Sequence, residues 1–199
     1  MGRGLKKKQS KGSFKLKGSA IATVVVIGII AVFFAGFSFQ RSMAEVEQED
    51  QMQKVSLVRV VDGDTIVVNI EGKQQKVRLI GIDAPESVAN EASRNIPEGV
   101  DASNYLKGLV KSGQTLYLEK DVSDTDEYGR LLRYVWIEEP SDSNNAQEIE
   151  NKMLEGILVS AGYAQARTWE PDHAHEKALK KLMKEAIAAD RGVSYLWDN

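Results

Sequence analysis

The sequence predicts an α+β chain, mainly a small closed barrel of five strands with three helices outside it, behind an N-terminal transmembrane helix. Three observations predict it. Apolar and β-branched residues alternate in short runs after Lys54, separated by Asp-Gly and Glu-Gly turns. Three later stretches carry apolar residues at helical spacing. The run at 18–40 carries no charge, and all the charge before it is basic.

The first 17 residues hold Arg3, Lys6, Lys7, Lys8, Lys11, Lys15 and Lys17 and no acid. Residues 1–19 therefore read as a basic cytoplasmic segment. Ala20 to Phe39 is almost wholly apolar. As a helix it would span roughly 30 Å, the depth of a bilayer's hydrocarbon core. With the basic flank N-terminal, the N-terminus is expected inside and the remainder outside. A signal anchor at 20–39 is one reading. A signal peptide cut near Ala44, after the small-x-small end Ser42-Met43-Ala44, is the other, and it would release a secreted protein. Residues 40–53 are polar and acidic, a stalk ahead of a domain at 54–199.

Val55 to Val61 is the first strand, turned by Asp62-Gly63 into Thr65–Ile70, where Ile66, Val68 and Ile70 alternate. Glu71-Gly72-Lys73 turns the chain again into a third strand at Lys76–Ile82, closed by Pro85. A helix follows from about Glu98, with Ala102, Leu106, Leu109 and Val110 on one face and Gly113 after it. Thr115–Glu119 and Leu131–Ile137 are the fourth and fifth strands, around a polar loop at 121–130. A second helix carries Ile149, Met153, Leu154, Ile157, Leu158 and Ala161 and stops at Gly162. A third starts near Pro171-Asp172, with Asp172 as N-cap, and ends before Gly192. An OB-fold-type barrel has this strand count.

The formal net charge of −3 hides an asymmetry. All 29 acids, but only about 18 of the 26 basic residues, lie beyond Ala44, so the exported part is near −11. Such a body excludes tight nucleic-acid binding through bulk charge, and any phosphate site must be local. The chain has no cysteine, which excludes disulfides, thiol chemistry and cysteine metal sites. His173 and His175 fall on different faces of a helix start, which argues against zinc and for capping or solvated roles.

Asp64 follows the first turn and Asp83 ends the third strand. Two carboxylates, a carbonyl and waters would suit a hard cation such as calcium. A turn aspartate bonding its own backbone would look the same. Pro85 fixes the geometry around Asp83, Ala84 and Glu86. Arg78, inside an apolar strand, needs a partner or the barrel rim. Arg130 follows Tyr128-Gly129, where glycine permits a close turn. An outward, solvated side chain is the alternative for each arginine.

In order and spacing, VVDGDTIVV, VRLIGIDAPE and DEYGR resemble the staphylococcal nuclease (thermonuclease) family, from about Lys54 to Trp197. The resemblance implies an OB-fold barrel with three helices and a calcium-dependent hydrolase of DNA and RNA. It implies cleavage of the P–O5′ bond, leaving 3′-phosphate ends. It assigns Asp64 and Asp83 as calcium carboxylates, with the Ala84 carbonyl as a further ligand. Glu86 would orient or deprotonate the water, Arg78 and Arg130 would bind the phosphate, and Tyr128 would lie near the nucleotide. Ala84 replaces the best-known member's threonine, Glu127 replaces a lysine, and two tyrosines are missing around Arg167-Thr168-Trp169. Trp169 could stack on a base in their place or pack in the core. No protein partner is implied, so a monomer is expected. A catalytically silent nucleic-acid-binding module on the same barrel is the alternative function, and the presence of Arg78, Glu86 and Arg130 argues for the enzyme.

Overall fold

The computed structural model describes residues 52–87 and 96–198, within the compact unit Gln51–Asn199. The basic segment, the apolar run at 20–39 and most of the stalk lie outside the described residues. Among the described residues, no helix is long and apolar enough to cross a membrane.

Strands β1 (Gln53–Val60), β2 (Thr65–Ile70), β3 (Lys73–Leu79), β5 (Thr115–Glu119) and β6 (Leu131–Trp136) close a barrel in the order β1-β2-β3-β6-β5. All pairs are antiparallel except β3 with β6. Alternation does its expected work. Val55 and Leu57 on β1 and Leu116 and Leu118 on β5 are buried, while their neighbours are partly or wholly exposed. The first four residues of β2 and the last four of β6 are buried without alternation, because both faces are covered.

The third strand is shorter at its end than its apolar run suggests. It stops at Leu79, and Gly81, at φ +77, takes a left-handed turn that side chains resist. Ile82–Asp83 then forms a separate strand, β4, paired with β7 (Gln165–Ala166). This corner turns Asp83 away from the barrel wall.

Three helices were expected, and the described residues form four: α1 (Pro97–Leu109), α2 (Ala146–Lys152), α3 (Leu154–Ser160) and α4 (Glu176–Ala188). A 3-10 turn follows at Ser194–Trp197. The expected second helix is broken at Met153, whose ψ of 128° is extended. Met153 bridges to Trp136, and Lys152 O accepts from Ile137 N at 2.8 Å, so the end of β6 takes backbone partners from the break. The last helix starts at Glu176, not near Asp172. Asp172 instead accepts from the amides of Val122 and Ser123, at 3.0 and 2.8 Å, and ties down the 121–130 loop. His175 occupies the N-cap position of α4 but makes no side-chain capping bond, and it is buried rather than solvated: Nε2 meets Glu119 Oε2 at 3.1 Å, and the ring lies edge-on to Tyr134.

The break also carries Glu155 into the interior, fully buried. Beyond the end of β3, Val135 N–H donates to its two carboxylate oxygens at 3.2 and 3.1 Å. Burial pushes this carboxyl well above its ordinary range, with Glu119 adding to the rise against the lowering hydrogen bonds. A raised folded-state pKa means that the native state binds the proton more tightly than the unfolded chain. The group then costs nothing below its ordinary value and destabilises increasingly as pH rises toward the folded value. Urea unfolding of Glu155→Gln and the parent should therefore diverge as pH rises above the ordinary glutamate range, the variant gaining relative stability at the higher pH. Parallel pH profiles would show that Glu155 is not protonated on folding.

Candidate active site

Arg78 lies in the middle of the barrel wall, paired with Thr65 of β2 on one side and Leu132 of β6 on the other. Its guanidinium reaches over the β3–β4 corner. One nitrogen donates to Leu79 O and Ile82 O, at 2.5 and 3.1 Å. The other lies 2.9 Å from Asp64 Oδ2 and 3.3 Å from Asp83 Oδ1. An arginine in an apolar strand is thus satisfied at the rim, by two carbonyls and two acids.

Asp64 is built into the first turn. Its amide donates to Asp62 Oδ1 at 3.1 Å, the local turn bond expected of Asp62. Asp64 itself points inward. Oδ1 accepts from Thr65 Oγ1 and Oδ2 from Ala84 N, both at 3.1 Å. Burial pushes its carboxyl up to about 7, with the Arg78 guanidinium pulling the other way. A carboxylate so buried favours a positive partner. The oxygens of Asp64 and Asp83 already converge on one cationic nitrogen, a donor set that suits a hard divalent cation. Among the described residues, no group of three or more His, Asp or Glu side chains could hold a metal by itself, so backbone oxygen or water would have to complete the shell.

Arg130 comes from the loop before β6. Asp126 fixes it, accepting from its backbone N at 2.8 Å and its Nε at 2.6 Å. Its terminal nitrogen reaches Thr65 Oγ1 at 3.5 Å, so one hydroxyl links the second arginine to Asp64. The two arginines, the Asp126 loop, Tyr128 and Trp169 line a cleft of about 360 Å³. Tyr128 is exposed beneath the Arg130 guanidinium, 5.6 Å from ring centre. Trp169 is 42% exposed and faces Arg78 at 5.6 Å, so it belongs to the cleft wall and not to the core.

Glu86 is exposed beyond Pro85, and Asp83, Ala84, Pro85 and Glu86 together wall a second depression. Helix α1 sets its backbone. Ile96 N donates to Glu86 O at 3.1 Å, and a Cβ at Gly99 would fall onto the Glu86 carbonyl and within 2.8 Å of Pro85 O. Only glycine lets the helix come so close. Arg167 and Gln165, which sequence reasoning did not place at the site, both bond Asp83 Oδ2, at 2.9 and 3.2 Å. Their signal is faint, because β7 is two residues long and carries no alternation.

The family model described as staphylococcal nuclease homologue matches residues 76–199. The thermonuclease of Staphylococcus hyicus is 29% identical over 185 residues, covering 93% of this chain and 99% of that protein. The thermonuclease of Staphylococcus intermedius is 31% identical over 170 residues, 85% of this chain and 90% of that protein. Endonuclease YncB of Bacillus subtilis (strain 168) is 42% identical over 128 residues, 63% of this chain and 54% of that protein.

Gly99→Ala should shift the amide resonance of Glu86 and cost on the order of 1–3 kcal/mol through the forced backbone movement. Gly108→Ala, in the same helix with open space around it, should leave Glu86 unmoved and stabilise by about 0.4–1 kcal/mol. Two-dimensional NMR and chemical denaturation check both. An unchanged Glu86 resonance in the first variant would break the link between helix and site.

Proposed function

The chain belongs to the staphylococcal nuclease family and is a thermonuclease-type endonuclease, a phosphodiester hydrolase; on that premise we propose that it cleaves DNA and RNA at the P–O5′ bond with calcium, leaving 3′-phosphate ends. One observation supports this reading: Asp64 and Asp83 converge on Arg78 while Arg130 is joined to Asp64 through Thr65, and both arginines line the open cleft.

In this reading Asp64, Asp83 and the Ala84 carbonyl hold the calcium ion. When bound, it supplies Lewis-acid charge that balances the phosphate. Arg78 and Arg130 grip the non-bridging oxygens, for which the guanidinium fork is shaped. Their donors meet negative charge that grows as water adds to phosphorus, a contribution of roughly 3–4 kcal/mol per donor in comparable sites. Glu86 orients the attacking water and accepts its proton. The P–O5′ bond then breaks, and the 5′ oxygen leaves with a proton from solvent. Tyr128 and Trp169 flank the nucleotide, and Trp169 offers a face for a base.

The reading extends to the rest of the chain. The nuclease domain, 54–199, works as a monomer outside the cell. Segment 20–39 anchors it in the membrane with residues 1–19 inside and 40–53 as linker, or cleavage near Ala44 frees it.

The full-length protein with calcium should cut single-stranded DNA and RNA, and a chelator should stop it. Glu86→Gln should lower kcat about 10²–10⁴-fold and Arg130→Ala about 10²–10³-fold, with melting temperatures little changed. Cleavage that survives the chelator, or the double variant, would refute the mechanism. Mass spectrometry of the protein recovered from cells should find an intact N-terminus in the membrane fraction. A mature N-terminus near Glu45 would select the secreted form instead.

A further inference from the structure

Arg167 has no part in the mechanism above, yet it sits against one of the mechanism's acids. Its backbone N–H donates to Gly81 O at 2.9 Å, which fixes it to the β3–β4 corner. Its side chain is 55% exposed, and its NH1 meets Asp83 Oδ2 at 2.9 Å. The guanidinium also lies 5.1 Å over Trp169, a ring that Arg78 approaches at 5.6 Å. Asp83 is therefore shared, one oxygen facing Arg78 and the other facing Arg167 and Gln165.

Arg167 also joins the walls of two depressions, through one residue of each. The first is the cleft of Arg78, Arg130 and Trp169. The second, of about 290 Å³, lies past Asp83 and Glu86 and is walled by Ile96, Gln165 and Trp197. Trp169 belongs to the first and Asp83 to the second, and Arg167 touches both. A strand held by its reacting phosphate at Arg78 and Arg130 has to leave the first cleft. An exit toward the second depression would bring a neighbouring phosphate to Arg167.

We propose that Arg167 is a third phosphate-binding residue, parked on Asp83 in the free protein and passed to the adjacent phosphate of the strand when Asp83 takes a cation. The proposal rests on the reading of Asp64 and Asp83 as the cation carboxylates. An ion pair this exposed contributes little, so the exchange is cheap. Stacking on Trp169 holds the guanidinium plane while leaving its N–H edge for phosphate oxygens. In a domain that is net acidic, a further local cation also matters for drawing the strand in.

The test uses the full-length protein and a short phosphorothioate oligothymidylate, a strand that resists cleavage, followed by fluorescence anisotropy over a salt series. In calcium, Arg167→Gln should bind about tenfold more weakly, with a slope of log K against log salt shallower by about 0.7. Arg167→Lys should keep the slope. Calorimetry with calcium alone should show Arg167→Gln binding the ion severalfold more tightly, because a competitor for Asp83 is gone. Equal oligonucleotide affinity and slope in variant and parent would overturn the proposal. Weaker calcium binding by the variant would also overturn it, because Arg167 would then only be supporting Asp83. If the parent takes up no calcium, the cation reading of the site fails by itself, and the slope difference in chelator then decides Arg167.

Discussion

The guanidinium of Arg78 is the point on which the site depends. It bonds the carbonyls on both sides of the Gly81 corner and pairs with acids from two different turns. Without it the Leu79 and Ile82 carbonyls lose a shared donor, and two carboxylates face each other with one of them buried. Breaking such a group of charges by removing one partner is far more costly than any surface pair is worth. Its place in the central wall, between Thr65 and Leu132, makes it as much a part of the barrel as of the cleft. Fold and site share this one side chain.

The charge distribution follows the same logic on a larger scale. The chain beyond Ala44 carries an excess of acids, so its bulk charge does not draw in a polyanion. Positive charge is concentrated instead. Arg78, Arg130 and Arg167 gather at the cleft and beside it, each tied to an aspartate in the free protein. These pairings fix where three long side chains sit in the free protein.

Much of this was legible in the sequence. β1 and β5 were visible because one face of each is buried and the other is not, β2 and β6 because apolar runs stand between turn signals, and Asp-Gly and Glu-Gly marked the hairpins. Of the motif residues, Arg78, Tyr128 and Arg130 line one cleft, and Asp83, Ala84 and Glu86 line the depression beside Arg78's partner Asp83. What stayed hidden has physical reasons. The broken helix at Met153 looks continuous because Ile149, Met153, Leu154 and Leu158 all face inward on either side of the break. The Ile82–Asp83 strand was read as part of β3 because apolar residues continue through the Gly81 corner. Asp172 had the chemistry of an N-cap and used it on a distant loop, a choice that local pattern does not encode.

The parallel seam between β3 and β6 has a consequence for how the molecule assembles. β1 with β2 and β2 with β3 pair as neighbours in the chain, whereas β3 meets β6 across more than fifty residues and through three residue pairs, as β1 meets β5 over a similar span. Contacts between distant parts of the chain repay their loop entropy late, so this seam closes after the hairpins have formed. Arg78 lies in the seam and Arg130 directly precedes it. A chain whose hairpins have formed but whose seam is open has most of its strands, and its two cleft arginines are not yet brought together. Assembly of the cleft thus waits on a long-range contact and not on the local hairpins.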